Sequence, residues 1–104
     1  MIITMEAIIS KQDAKTFVKL VGRLDTTNAE QFQQDINCLM EDPAPDIEID
    51  CADMEYTSSQ GLRIFLMLQK FVSSKGGSMV MKNMRPQVKD VFDITGFSNI
   101  ICIK

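Results

Sequence analysis

What most limits the folds open to this chain is that its hydrophobic period keeps changing along the sequence. Strands place successive side chains on opposite faces, whereas helices repeat every 3.6 residues, so the period separates the two. The first apolar run, Ile2 to Ser10, reads as a strand, and "KQDA" as a turn. In "KTFVKLVG" both alternating sets carry apolar groups, Phe17 and Val21 against Val18 and Leu20, as in a strand covered on two faces. So few residues join these two strands that an antiparallel hairpin is expected. "TTNAEQFQQDINCLM" changes to helical spacing, with Phe32, Ile36, Leu39 and Met40 at i, i+4, i+7 and i+8 on one face. Thr27 and Glu30 fit a capping box at its start, and "EDPAPD" ends it because proline cannot continue a helix. "IEIDC" is a short strand. A second helix runs to about Ser74, where "KGG" stops it. "SMVMK" is again a strand, and Pro86 suits the first turn of a third helix carrying Val88, Val91 and Phe92. Gly96 stops that helix, and "NIICI" is a last strand.

The resulting order, β-β-α-β-α-β-α-β, implies crossover units and an α/β fold with a mixed, mostly parallel sheet. At 104 residues the chain is expected to be one domain, 1–104, without repeat or linker. Such a domain buries roughly two thirds of the surface of its unfolded chain and needs no metal or disulfide to fold. Hydrophobic residues at 45% and charged residues at 24% are ordinary for a soluble domain. A net charge of −3 without a Lys/Arg cluster argues against nucleic acid as a partner. Cys38, Cys51 and Cys102 are odd in number and form no C-x-x-C, so they read as free thiols acting as small hydrophobes, not a disulfide framework or a zinc site.

The chain has no histidine, which removes the commonest general base and the Ser-His and Cys-His nucleophile pairs. No paired-carboxylate or Ser-x-x-Lys pattern replaces them, and no G-x-x-x-x-G-K-[ST] or G-x-G-x-x-G is present to cradle phosphates. The expectation is a protein with no catalytic residue, no metal and no cofactor. "MIITMEAII" has no basic leader, and Glu6 interrupts its apolar run, so it is neither a signal peptide nor a membrane span. A cytoplasmic monomer that does not insert into a membrane is expected.

"MEYTSSQGLRIFLMLQK" holds the densest polar cluster, Thr57, Ser58 and Ser59, between a strand end and a helix start. A hydroxyl there accepts a bond from the free amides of the helix end, so Ser58 or Ser59 reads as an N-cap and Gly61 as a close-packing turn residue. The same end amides also tolerate a phosphate, because a helix N-terminus carries about half a positive charge. Phosphorylation adds a charge of about −1.5 to −2, so a serine there changes the sign of the outer surface without unfolding the domain. Capping and switching both remain open on the pattern alone.

"GRLDTTNAEQF", "IEIDCADMEYTSSQGLRIFLMLQK" and "VKDVFDITGFSNII" together resemble the successive signatures of the STAS domain family, most closely the bacterial anti-sigma factor antagonist type. The resemblance spans essentially the whole chain and implies a mixed sheet with helices mainly on one face. In that family the turn is usually Asp-Ser-Ser-Gly-Leu or Ser-Ser-Ala-Gly-Leu, and the phosphorylated serine lies two residues before the glycine. On Gly61 and Leu62 that position is Ser59, while Ser58 stands where the family usually has Asp and Gln60 where it has Ser or Ala. Ser58 and Thr57 are then alternative acceptors or helix caps. Asp25 of "GRLD" matches a recurrent Asp, with a partner contact or a helix-start carboxylate as its two readings. The resemblance implies partner exchange: unmodified, the protein binds an anti-sigma factor that is also a serine kinase of the histidine-kinase-like ATPase fold. Phosphorylation breaks that complex, and a serine phosphatase restores it. A second role known for such domains is as an accessory subunit of a membrane transport assembly, such as a lipid-transport ATPase, where Ser59 only starts the helix.

At about 100° per residue, Ser59, Arg63, Leu66 and Lys70 share one side of the second helix. Ile64, Phe65, Met67, Leu68, Phe71 and Val72 share the other, the expected core face. Leu66 among cations is either a shoulder residue under the next helix or the apolar centre of a charged patch. The expected partner surface therefore comprises Asp25, Ser59, Gly61, Arg63 and Leu66.

Overall fold

The computed structural model describes residues 5–104. Its five strands are β1 (Glu6–Gln12), β2 (Lys15–Leu24), β3 (Asp46–Thr57), β4 (Ser78–Lys82) and β5 (Cys102–Ile103). They lie in that order across one sheet. β1 and β2 pair antiparallel, and the β2–β3, β3–β4 and β4–β5 pairs are parallel. Three helices, α1 (Ala29–Ile36), α2 (Ser59–Ser74) and α3 (Pro86–Ile94), supply the crossovers. The architecture is the expected mixed α/β fold.

Burial shows where the helices sit. Val18, Leu20 and Leu24 of β2, Ile47, Ile49 and Cys51 of β3, and Met79 and Met81 of β4 are all buried, each on the same face of its strand. They join Phe32 and Ile36 of α1, Phe65, Leu68 and Val72 of α2, and Val88 and Phe92 of α3 in one core. Each helix gives one phenylalanine to a row that holds the helical layer together. Phe65 meets Phe32 at 5.7 Å edge-on and Phe92 at 6.0 Å.

The opposite sheet face is bare, which corrects the expectation that β2 is covered on both sides. Phe17 and Val21 are only half-buried. Their surroundings are charged, and the charges pair with one another: Glu48 accepts Lys82 at 3.0 Å and Lys15 at 3.4 Å, and Lys19 meets Asp53 at 3.4 Å. Lys15 Nζ also lies 5.7 Å from the centre of the Phe17 ring. Long cationic stems shield the apolar side chains there without a second helical layer.

The hairpin joins Gln12 to Lys15 through Asp13 and Ala14 alone, so β1 runs past Ser10 into the expected turn. Asp13 takes a positive φ of 56°, which a short polar side chain tolerates. The Ile2–Thr4 part of the expected strand lies outside the described residues. β3 is more than twice the expected length. Its buried residues are Ile47, Ile49, Cys51, Met54 and Thr57. The spacing widens from two to three because two register shifts against β2 insert extra residues, and each bulge breaks the alternation that marks a strand. Only Asp46–Asp50 pair with β4, so the remainder of β3 has a strand neighbour on the β2 side alone. β5 is shorter than "NIICI", whose first residue closes a 3-10 turn, Phe97–Asn99. α3 begins on Pro86 and is followed by Gly96 at φ 82°, as the sequence indicated.

Candidate functional site

β2 and β3 end side by side, Leu24 opposite Thr57, and the chain leaves each strand for a helix at this end of the sheet. The polar residues singled out in the sequence gather here.

At the β3–α2 junction the three hydroxyls have different fates. Thr57 is buried, and its Oγ1 donates to the Ser58 carbonyl at 3.2 Å. Ser58 is buried too and is the N-cap of α2, its Oγ accepting the Gly61 amide at 3.2 Å. Its own amide donates to the Leu24 carbonyl at 2.8 Å, which ties the turn to β2. Ser59 is the first residue of α2, is exposed, and makes no side-chain hydrogen bond among the described residues. The cap is thus satisfied by Ser58, and Ser59 is left over.

Gly61 is buried, and its contribution is to packing: a Cβ there would lie 2.6 Å from Leu24 Cδ2 and also meet Thr57 Oγ1. Its absence lets the start of α2 close onto the end of β2. The expectation of a direct partner contact by Gly61 does not fit this burial.

The β2–α1 junction is built differently. The expected Thr27–Glu30 capping box is absent: Asn28 is the N-cap residue, and no side chain caps α1. Asp25 captures Thr27 instead, accepting both its amide, at 2.9 Å, and its hydroxyl. Thr27 precedes the N-cap residue by one position, so its side chain serves the turn and not the helix end. These two bonds hold the Asp25 carboxyl below the usual carboxylate range, the hydroxyl contributing most. Asn28 is buried and braces the turn, accepting the Asp25 amide at 2.9 Å and donating Nδ2 to the Arg23 carbonyl at 2.7 Å.

Between α1 and α2, beside Ser59, runs a groove of about 370 Å³ lined by Ala29, Glu30, Gln33, Gln60, Arg63, Ile64 and Met67. Ala29 and Ile64 are buried at its floor, while Glu30 and Arg63 are exposed charges on opposite walls. Leu66 is half-buried and stands outside the core cluster, on the exposed flank of α2 with Arg63 and Lys70. On the bare sheet face beyond Ser59, the Arg23 guanidinium lies 4.6 Å from the centre of the Tyr56 ring. Periodicity within one helix did not reveal the groove, because it arises between two helices. The small Ala29 facing a long α2 was the one available signal.

Chemistry is poorly provided for. Burial, with the neighbouring Asp50 adding to it, pushes the Cys51 thiol up to about 12. Cys38 and Cys102 are free but exposed, so the expectation that they pack as small hydrophobes holds for Cys51 alone. Among the described residues no group of three or more His, Cys, Asp or Glu is arranged to hold a metal. Among them also, no helix is long and apolar enough to cross a membrane.

The sequence matches the STAS domain family over residues 6–104. The chain belongs to the STAS family. The anti-sigma-B factor antagonist of Bacillus subtilis is 34% identical to this STAS protein over 86 residues, 83% of this chain and 78% of that one. An anti-sigma factor antagonist from Mycobacterium paratuberculosis superimposes with a TM-score of 0.82 at 21% identity, over 95% of this chain and 84% of that one. The Bacillus cell fate determinant SpoIIAA, in its phosphorylated form, superimposes with a TM-score of 0.72 at 18% identity, over 95% and 91%. The two structural matches show the shared fold. The curated relatives compared are named anti-sigma factor antagonists.

Proposed function

We propose that this STAS protein is a phosphorylation-switched binding module of the anti-sigma factor antagonist kind, with Ser59 as the phosphoacceptor. Unmodified, it holds an anti-sigma factor that is also a serine kinase of the histidine-kinase-like ATPase fold, and so acts in the cytoplasm without catalysing a reaction itself. The kinase moves the γ-phosphoryl group of ATP to Ser59 Oγ, releasing ADP and the hydroxyl proton, and the complex separates. A serine phosphatase hydrolyses the ester to inorganic phosphate and regenerates the binding form.

The observation that carries this reading is the surplus hydroxyl. Of three adjacent hydroxyls, two are buried and engaged, and Ser59 alone is exposed and free. A kinase must reach its acceptor, and a phosphate at the first residue of a helix meets the favourable end of the dipole. The partner surface in this reading is Asp25, Ser59, Arg63 and Leu66, of which Arg63 lines the groove between α1 and α2 and Leu66 lies on the exposed flank of α2.

Recovery of bound proteins on the immobilised chain, followed by incubation of the recovered kinase with ATP and mass mapping, tests the reading. The expected result is phosphate on Ser59 and none on the Ser59→Ala variant. Transfer to Thr57 or Ser58 in that variant overturns the choice of residue. Recovery of a transport ATPase subunit, with no kinase and no phosphate, favours the accessory-subunit role.

A further inference from the structure

The three arginines of this chain are in different situations. Arg23 is stacked over Tyr56, and Arg85 donates Nε to the Ala52 carbonyl at 2.9 Å. Arg63 is exposed and makes neither an ion pair nor a side-chain hydrogen bond among the described residues. It stands four residues after Ser59 within α2. On a helix, residues so spaced have Cβ atoms about 6 Å apart, and an acid one turn before a base is the favourable order. Arg63 is also the sole cation lining the groove between α1 and α2, opposite Glu30.

We propose that Arg63 is the second component of the switch: once Ser59 carries a phosphate, the Arg63 guanidinium pairs with it and is withdrawn from the groove. The inference rests on the reading of Ser59 as the phosphoacceptor. A guanidinium fork matches phosphate oxygens two at a time, so the phosphate competes well for this side chain. Lys70 shares the helix side but lies about 16 Å further along the axis from Ser59, out of reach.

The consequence is a change in what the groove offers. Unmodified, its walls hold one cation and one anion, and a partner carboxylate finds a free guanidinium. Modified, Glu30 remains as the sole charge of the lining, and the guanidinium is occupied. Phosphorylation then acts twice on the same partner, by adding repulsion at Ser59 and by removing the attraction at Arg63. The partner chemistry this selects is an acidic side chain seated against Arg63.

The test needs no kinase. Phosphoserine is placed at position 59 during synthesis, and the second ionisation of the phosphate is followed by 31P NMR at low salt in the wild-type background and in Arg63→Gln, Arg63→Lys and Lys70→Gln. The expected second pKa is about half a unit lower with Arg63 than with Gln, with Arg63→Lys between and Lys70→Gln unchanged. The difference closes in about 1 M salt. Identical values for the wild-type background and Arg63→Gln overturn the pairing. An equal rise in Lys70→Gln also overturns it, because a diffuse field then explains the shift. A kinase that never modifies Ser59 counts against the switch itself and leaves this measurement standing, so the two failures are distinguishable.

Discussion

Two of the three strand-to-helix junctions of this STAS domain, β2–α1 and β3–α2, lie side by side and are made of similar residues, yet they distribute their hydrogen bonds differently. At the start of α1 three of the four polar side chains are engaged by the turn: Asp25 holds Thr27, buried Asn28 spans Arg23 and Asp25, and exposed Thr26 alone makes no side-chain hydrogen bond among the described residues. At the start of α2 one serine completes the cap and the next is spare. A polar cluster at a helix start is therefore informative when it holds more hydroxyls than its turn requires. The surplus hydroxyl marks a candidate where it stands on the helix itself, as Ser59 does on α2 and Thr26, before α1, does not.

The largest expected effect separates the junctions by function. Ser59→Asp should weaken partner binding on the order of a hundredfold, the equivalent of about 3 kcal/mol, while denaturant melts stay near wild type. Ser59→Ala should bind normally and resist release by kinase and ATP. Calorimetric titration against the recovered partner reads both, and tight binding by Ser59→Asp removes the distinction drawn here. Second is Gly61→Ala. Alanine favours a helix by about 1 kcal/mol over glycine, but the new Cβ runs into fully buried Leu24, and overpacking of this kind costs about 1–3 kcal/mol. A lower melting midpoint is expected, and a raised one would show that Leu24 gives way.

Third, Asn28→Ala should destabilise by about 2 kcal/mol, since it removes two bonds from a buried position. Ser58→Ala should cost about 1 kcal/mol as a lost cap. A Ser58→Ala urea midpoint equal to wild type would mean that the spare hydroxyl of Ser59 can replace Ser58. The smallest effect concerns acid. The Asp25 carboxyl titrates below its usual range when folded, so its contribution is complete above about pH 4 and is lost as pH falls through the folded value. The stretch Thr57–Gln60 holds no carboxylate and has no such dependence. Thermal melts from about pH 6 to pH 2.5 should show a shallower acid limb for Asp25→Asn than for wild type.

Much of this was legible in the chain because it is local. Pro86 starts α3 and Gly96 follows its end through their own backbone chemistry, and the helical period placed Phe65, Leu68 and Val72 in the core correctly. What was hidden depends on neighbours. β3 looked short because its two bulges change the spacing of buried residues, and a bulge exists only against a partner strand. β2 looked covered on both faces because the sequence does not show that Glu48 and Lys82 come to stand beside Phe17. The capping box failed because α1 starts one residue later than the pattern suggests, with Asn28 and not Thr27 as its N-cap residue. Leu66 was visible as an anomaly, and its position on the exposed flank of α2 needed the fold.

The overhang of β3 has a mechanical consequence. Up to Asp50 the strand is clamped between two strands, and beyond it β2 is its sole strand neighbour, with Arg85 donating to the Ala52 carbonyl on the other side. Segments held on one side open locally at lower free energy than those held on both, so amide exchange should quicken from the clamped root to the tip. The tip carries the Thr57–Ser59 turn. Ser59 thus stands on the part of the sheet with one strand neighbour, while the root of β3 lies between two.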